Sequence, residues 1–130
     1  MLEERFDVRL DADAEKEYSR LDGSVLGMVN AAIDELIFRA DEVGKPLSNY
    51  SETKLAGCKE IKLRDAGIRI VFRVTNEVVD ILRIVYVLTI ERRARDMAFK
   101  IAHGRLKAYR KLTKEQTRLL HEKQKKWSIE

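Results

Sequence analysis

Eight cationic side chains cluster in the middle of the sequence, within or just after apolar stretches: Lys62, Arg64, Arg69, Arg73, Arg83, Arg92, Arg93 and Arg95. Arginine presents a planar fork of donors that matches phosphate oxygens, and lysine adds a compact charge. One interpretation of this surface is therefore phosphate recognition, with RNA as the partner. The other is a solvated face whose cations pair with Glu60, Asp65 and Asp80.

The stretch from Cys58 to Leu88 has the two-residue period of β-strands and positions the first five of these cations. Asp65-Ala66-Gly67 supplies the residues of a first turn, in which glycine is free to take a positive φ. A second turn is predicted at Thr75-Asn76-Glu77. The strand after it is apolar on both faces, as is typical of a central strand covered on both sides. The pattern predicts a three-stranded antiparallel meander.

The register of the first two strands follows from their apolar faces. If those faces coincide, Leu63 stands opposite Ile68, and Lys62 then stands opposite Arg69. Two cations opposite each other in an antiparallel pair repel unless an anion lies between them. The sequence thus predicts an anion site at Lys62 and Arg69.

Other segments predict the layers that cover the meander. Phe6, Val8 and Leu10 alternate as in a strand, and Asp11 or Asp13 begins a short helix. An apolar stripe from Val25 to Ala40, with Ser24 as candidate cap, predicts a long helix that ends before Pro46. Such a stripe could be a dimer seam, but core is favoured.

The C-terminal third predicts two more helices. The first carries Met97 and Ile101 on its apolar face, together with Ala98 and Ala102. Thr113 and Gln116 form a capping box, which predicts a final helix from about Lys114 to Trp127. Residues 101–130 hold nine basic and three acidic residues, a net charge of +6 against +4 for the whole chain. This segment suits a polyanionic partner.

Composition narrows the class of protein. A length of 130 residues suits a single domain, and the single cysteine excludes an intramolecular disulfide. There is no signal-peptide run and no apolar stretch long enough to span a membrane, so a soluble cytoplasmic protein is expected. No glycine-rich phosphate loop or metal motif is present, and neither a metal nor another cofactor is expected. His103 and His121 are expected on the surface.

The order of elements and the segments LAGCKEIKLRDAGIRIVFRV and ERRARDMAFKIAHGRL resemble the RelE branch of the RelE/ParE toxin superfamily over residues 5–106. The resemblance implies an α+β, microbial-RNase-like fold with an antiparallel sheet, ordered strand-helix-helix-strand-strand-strand-helix. Residues 1–106 would form the toxin domain. Residues 107–130 run past the usual end of the family and are expected to form a basic, helical extension with an extra helix, packed on or projecting from the same domain. Its role would be a contact with ribosomal RNA or a prop against the core.

The resemblance also implies a function: the toxin of a type II toxin–antitoxin system, a metal-independent endonuclease that cuts mRNA on the ribosome and is restrained by a cognate antitoxin. In such enzymes the nucleotide's 2′-hydroxyl attacks the adjacent phosphate. Lys62, Arg69 and Arg93 match residues of the family's catalytic site, and Glu60 replaces a lysine there. The RNA-binding residues would be Arg64, Arg73, Arg83, Arg92, Arg95 and Phe99.

Two departures leave alternatives open. Glu60 could act as a general base or simply pair with Arg69 or Arg73, and Phe99 replaces a tyrosine, so it can stack but cannot transfer a proton. A catalytically weakened toxin that acts mainly as an antitoxin-bound binding module is one alternative. A ParE-like inhibitor of DNA gyrase is another, which the basic IKLR segment and arginine-rich turn disfavour.

Overall fold

A computed structural model describes residues 3–50, 53–79, 81–92 and 95–129. In chain order its elements are strand β1 (Phe6–Leu10), helices α1 (Ala12–Ser19) and α2 (Gly23–Arg39), strands β2 (Lys45–Pro46) and β3 (Cys58–Leu63), a 3₁₀ turn (Arg64–Ala66), strands β4 (Ile68–Val79) and β5 (Leu82–Glu91), helices α3 (Arg95–Arg110) and α4 (Lys114–Lys123), and strand β6 (Lys125–Lys126). This is the predicted α+β order, with the two short strands β2 and β6 added. Within the described ranges, none of the helices is long and apolar enough to cross a membrane.

The strands form one sheet in the order β2-β3-β4-β5-β1-β6. Its pairs are antiparallel except for β1 and β5, which run parallel. A parallel pair needs a long connection, and here α1, α2 and the first strands of the meander supply it. The predicted antiparallel sheet therefore holds everywhere in the described chain except between β1 and β5.

The predicted register of β3 and β4 is confirmed. Leu63 pairs with Ile68, Lys62 pairs with Arg69, and the ladder continues without a shift to Cys58 and Arg73. Gly67, in the connection between these strands, has φ +66°, a conformation that glycine adopts without strain. The meander thus presents Glu60, Lys62, Arg69 and Arg73 on one face.

Helices cover the sheet on both faces, which explains the doubly apolar β5. On one face the α2 stripe is core, as predicted: Val29, Ile33, Leu36 and Ile37 pack with Ile68, Ile70 and Phe72. On the other face α3 packs on Val71, Ile84, Tyr86 and Leu88. The buried residues of α3 are Ala98, Phe99, Ala102 and Leu106, whereas Met97 is exposed. The expected place of Met97 in the apolar face is therefore wrong.

Two local predictions also need correction. The cap of α2 is Asp22, whose carboxylate accepts the Val25 N–H, so Ser24 is not the cap. The predicted turn at residues 75–77 is instead a register shift within β4, between Val74 and Val78. The Thr75 hydroxyl donates to the Ile84 carbonyl at 2.8 Å and accepts a hydrogen bond from the Glu77 N–H. The hydroxyl therefore has hydrogen-bond partners inside the sheet, at the point where the register shifts.

The C-terminal segment packs against the sheet. The Thr113–Gln116 capping box is present, but α4 ends at Lys123, before Trp127, and the chain continues as β6 along the edge of β1. His121 is buried beside Asp7, not exposed as expected, because it lies on the inner face of α4. Residue 107, the expected start of an extension, lies within α3.

Candidate phosphate-binding site

A three-membered ionic group lies where β3 meets β4. One Glu60 carboxylate oxygen accepts a hydrogen bond from Arg69 Nη1 at 3.2 Å, and the other lies 3.9 Å from Lys62 Nζ. Glu60 precedes Lys62 by two residues and is diagonal to Arg69, so all three side chains project from the same face. The anion that the cationic pair requires is supplied here by the chain itself.

Burial differs sharply between the members of this group. The side chain of Glu60 is 2% exposed, whereas those of Arg69 and Lys62 are 24% and 36% exposed. A buried carboxylate is costly unless it is paired, which accounts for the contacts with both cations. A ligand approaching from solvent therefore meets the guanidinium and ammonium groups first and the carboxylate beneath them.

Glu91 is a further acid at this site that the sequence interpretation missed. It is 7% exposed and stands opposite Arg69 on β5, and its carboxylate accepts the Arg92 N–H at 3.1 Å. Arg69 thus lies between two strands that each carry a buried glutamate. The register of β4 and β5 would have indicated Glu91, but the turn wrongly predicted at residues 75–77 prevented that register from being derived.

A groove runs beside the ionic group along the outer edge of β3. It has a volume of about 550 Å³ and is lined by α2, the chain before β2, and residues Glu60, Ile61, Lys62 and Arg64. Gly44 has φ +81°, and a Cβ there would lie 2.9 Å from the Glu60 carbonyl oxygen. Glycine is needed for this close approach. The groove has the size of ordinary small-ligand sites.

An aromatic pair lies on the same face of the sheet as the ionic group. Phe99 belongs to the apolar cluster that includes Val71, the residue opposite Glu60, and it is 4% exposed. Tyr50 stacks on Phe99 with ring centroids 5.6 Å apart, and the Arg95 guanidinium lies 5.1 Å from the centroid of the Phe99 ring. Phe99 is therefore covered and packs the core. The exposed aromatic is Tyr50, whose hydroxyl accepts a hydrogen bond from Arg95 at 3.1 Å. An isolated tyrosine in a polar loop gave no sequence signal.

The other arginines predicted to bind RNA lie in different parts of the structure, some near this site and some far from it. Arg64 lines the groove, and Arg92 lies 3.8 Å from Asp22. Arg73 lies at the opposite end of the β3–β4 ladder from Lys62. Arg83 lies farther away. Its guanidinium donates to the Thr75 carbonyl at 3.1 Å and lies 5.5 Å from the centroid of the Phe6 ring. The structure therefore does not bring Arg73 or Arg83 to this site.

Two residues of the sequence interpretation, Arg93 and Asp80, lie outside the described residues. In the ranges that the structure does describe, no cluster of three or more histidine, cysteine, aspartate or glutamate side chains is arranged to hold a metal ion. The charged side chains of the site include cations that can bind an anion and a carboxylate that can accept a proton.

The fold has solved counterparts. A mutant of the E. coli toxin RelE in its free state matches with a TM-score of 0.56 and 22% identity, over 85% of this chain and 100% of that one. The RelBE2 toxin–antitoxin complex from Mycobacterium tuberculosis matches with a TM-score of 0.53 and 25% identity, over 72% of this chain and 95% of that one. The isolated E. coli RelE toxin matches with a TM-score of 0.51 and 22% identity, over 78% of this chain and 98% of that one. No protein-family model and no curated protein matches the sequence. The chain has a RelE-like toxin fold.

Proposed function

We propose that this chain, which has the fold of the RelE toxins, is itself the toxin of a type II toxin–antitoxin pair and a ribosome-dependent mRNA endonuclease. The observation that carries the proposal is the Lys62–Arg69 pair, two partly exposed cations fixed opposite each other beside a groove. A phosphate that binds there would be a second anion for the two cations, beside Glu60. A cognate antitoxin would be the partner that restrains this activity, in the cytoplasm.

The reaction that suits these groups needs no metal. The 2′-oxygen of a nucleotide attacks its own 3′-phosphate, the bond from phosphorus to the 5′-oxygen breaks, and a 2′,3′-cyclic phosphate and a free 5′-hydroxyl result. One group must accept the 2′-hydroxyl proton and another must donate a proton to the leaving oxygen. Arg69 would neutralise the charge that develops on the phosphate oxygens.

We assign the proton transfers to the two neighbours of Arg69. Glu60 is the carboxylate in contact with both cations and would accept the 2′-hydroxyl proton. Lys62, which carries the most exposed of the three side chains, would donate to the leaving oxygen. Glu60 is buried and paired with Arg69, so it must be uncovered as the phosphate enters before it can accept a proton. A slow cut follows from this arrangement.

A second candidate function has the same observation behind it. The Glu60 carboxylate occupies the position of an anion between the two cations, so it competes with a phosphate for Arg69. In that case the chain would serve mainly as a binding module, held by its antitoxin, with little nuclease activity. The two candidates assign opposite effects to the same side chain, which makes Glu60 the residue to test.

The experiment compares the wild-type chain with Glu60→Gln, which keeps the shape of the side chain and removes its charge. Messages translated in a reconstituted system are mapped by primer extension, and RNA binding is measured separately. If Glu60 is the base, the variant cuts about 100-fold more slowly while binding RNA more tightly. Cutting that stays the same or quickens would assign Glu60 to the ion pair alone. Intact message with the wild-type chain, under conditions that arrest translation, would overturn the nuclease proposal.

A further inference from the structure

A second row of polar side chains crosses the same face of the sheet, away from Lys62. The strand registers place Cys58 opposite Arg73, Arg73 opposite Tyr86, and Tyr86 beside Arg9. Arg73 is four residues along β4 from Arg69, a distance of about 13 Å at the rise of a strand. Arg69 donates to Glu60 at 3.2 Å, whereas Arg73 lines a separate cavity.

The centre of this row is a buried hydroxyl group that lacks a partner. Tyr86 is 3% exposed, and its hydroxyl oxygen makes no hydrogen bond to any of the residues described. Its ring is held by Tyr109, with centroids 4.7 Å apart, and by the edge of His121 at 6.2 Å. Burial raises the pKa of Tyr86 to about 12, so the hydroxyl keeps its proton and remains a donor. An orphaned buried donor is unfavourable unless a ligand or water meets it.

Tyr86 lines a polar cavity of about 580 Å³ between the end of β4, the C-terminal end of α3 and the start of α4. Three cations line it as well, Arg73, Arg110 and Lys114, against one acid, Glu77. Across residues 3–50, 53–79, 81–92 and 95–129, the side chains of these three cations form no hydrogen bond or ion pair. By contrast, Arg9 and Arg105 are each paired with an acid at 2.9 Å.

We propose that this cavity is a second phosphate site, which holds a backbone phosphate of a single-stranded RNA at a distance from the Lys62–Arg69 pair. Arg73 and Arg110 supply guanidinium forks, Lys114 supplies a point charge, and the Tyr86 hydroxyl donates to a phosphate oxygen. The identification of the ligand as RNA rests on the proposed function. The anion chemistry rests on the cavity itself.

The test uses the full chain and a labelled single-stranded RNA with 2′-O-methyl groups, which lacks the hydroxyl needed for cleavage. Binding is followed by fluorescence anisotropy over a range of salt concentrations. Tyr86→Phe removes only the orphaned hydroxyl, and Arg73→Gln removes one fork. The matched control is Arg20→Gln, an exposed arginine that follows α1, far in sequence from the cavity residues.

We expect Tyr86→Phe to weaken binding about fivefold and Arg73→Gln about tenfold. The slope of log affinity against log salt should fall by about 0.7 in Arg73→Gln, the loss of one single-strand phosphate contact. The control should stay within about twofold of wild type. Urea unfolding should show Tyr86→Phe to be at least as stable as wild type, because the variant no longer buries an unsatisfied hydroxyl.

The inference is overturned if Tyr86→Phe binds like wild type and Arg73→Gln loses no more affinity than the control. Its failure is distinct from failure of the nuclease proposal. A chain that cuts message but shows unchanged binding in these variants lacks the second site. A chain that never cuts message but loses RNA affinity in both variants has the phosphate site without the enzyme.

Discussion

Arg69 stands directly opposite Lys62 in the β3–β4 ladder, so two like charges face each other across adjacent strands. The buried Glu60 carboxylate contacts both, and this converts a repulsive pair into a stable ionic group. The same carboxylate therefore has a structural role and a position at the candidate site. Experiments on these residues must separate stability from binding and cleavage.

Arg69→Ala should abolish RNA cleavage and also destabilise the fold. Loss of the guanidinium removes the charge proposed to stabilise the reacting phosphate, so cleavage should fall by at least about 100-fold. Among the described residues it also leaves Glu60 buried with Lys62, at 3.9 Å, as its one cationic partner, which should lower the free energy of unfolding by about 1–3 kcal/mol. Primer extension measures the first effect and urea unfolding the second.

The control is the double variant Glu60→Gln with Arg69→Ala. A neutral amide does not need the lost cation, so the double variant should recover most of the lost stability without recovering cleavage. Full nuclease activity in the stable double variant would exclude phosphate chemistry at Arg69.

The pairing within the ionic group can be predicted from the sequence. Alternation of apolar residues fixes which face each side chain takes, and the requirement that two apolar faces coincide fixes the register. These two rules are enough to place Lys62 opposite Arg69. They do not show that Glu60 turns toward the pair and is buried, because burial depends on what covers the strand.

Contacts between distant segments could not be predicted from the sequence for a related reason. Tyr50 meets Phe99 and Arg95 only because the loop before β3 folds against the start of α3. His121 meets Asp7 only because α4 returns to the edge of β1. Periodicity reports the face of one element and is silent about which element will pack on it. The burial of His121 was therefore not foreseen.

Tyr50→Ala should weaken binding of single-stranded RNA by about tenfold, because its exposed ring, which stacks on Phe99, is available to stack a base. Tyr50→Phe keeps the ring and removes the hydroxyl that accepts from Arg95, so it should bind within about twofold of wild type. Anisotropy with the same 2′-O-methyl RNA gives both values. Equal affinity in the alanine variant would assign Tyr50 to covering Phe99 and nothing more.

Stability should fall at acid pH through Asp7. Burial by itself raises the pKa of Asp7, but hydrogen bonds with His121 and Arg9 outweigh it and lower the pKa from 3.8 to about 2. A carboxyl whose pKa is lower in the folded state stabilises the fold fully above about pH 4, and this stabilisation is lost as the pH falls toward 2. The loss should be about 2 kcal/mol. Urea unfolding at a series of pH values measures it.

Asp7→Asn provides the comparison, since it cannot titrate and should show a shallower fall in stability over that pH range. Asp65→Asn, a change at an exposed aspartate in the 3₁₀ turn, should keep the full slope of the wild-type chain. If Asp7→Asn and wild type lose stability in parallel, the acid sensitivity arises elsewhere.

Trp127 should anchor the C-terminal segment to the rest of the fold. It is 7% exposed, its indole N–H donates to Asp34 at 2.8 Å, and its ring meets Tyr18 edge-on at 5.3 Å. Its backbone N–H donates to the Val8 carbonyl at 2.8 Å. Trp127→Ala should therefore lower the free energy of unfolding by about 3 kcal/mol, as for other buried large side chains. Circular dichroism in urea measures this without relying on tryptophan fluorescence.

Two variants sharpen the test of this anchor. Trp127→Phe keeps an aromatic ring against Tyr18 but loses the hydrogen bond to Asp34, so it should cost about 1–2 kcal/mol. Ser128→Ala, at the exposed neighbouring position, should have no measurable effect. An alanine variant as stable as wild type would mean that the segment after α4 contributes nothing to folding. In that case its basic residues would be available to a polyanionic partner independently of the sheet.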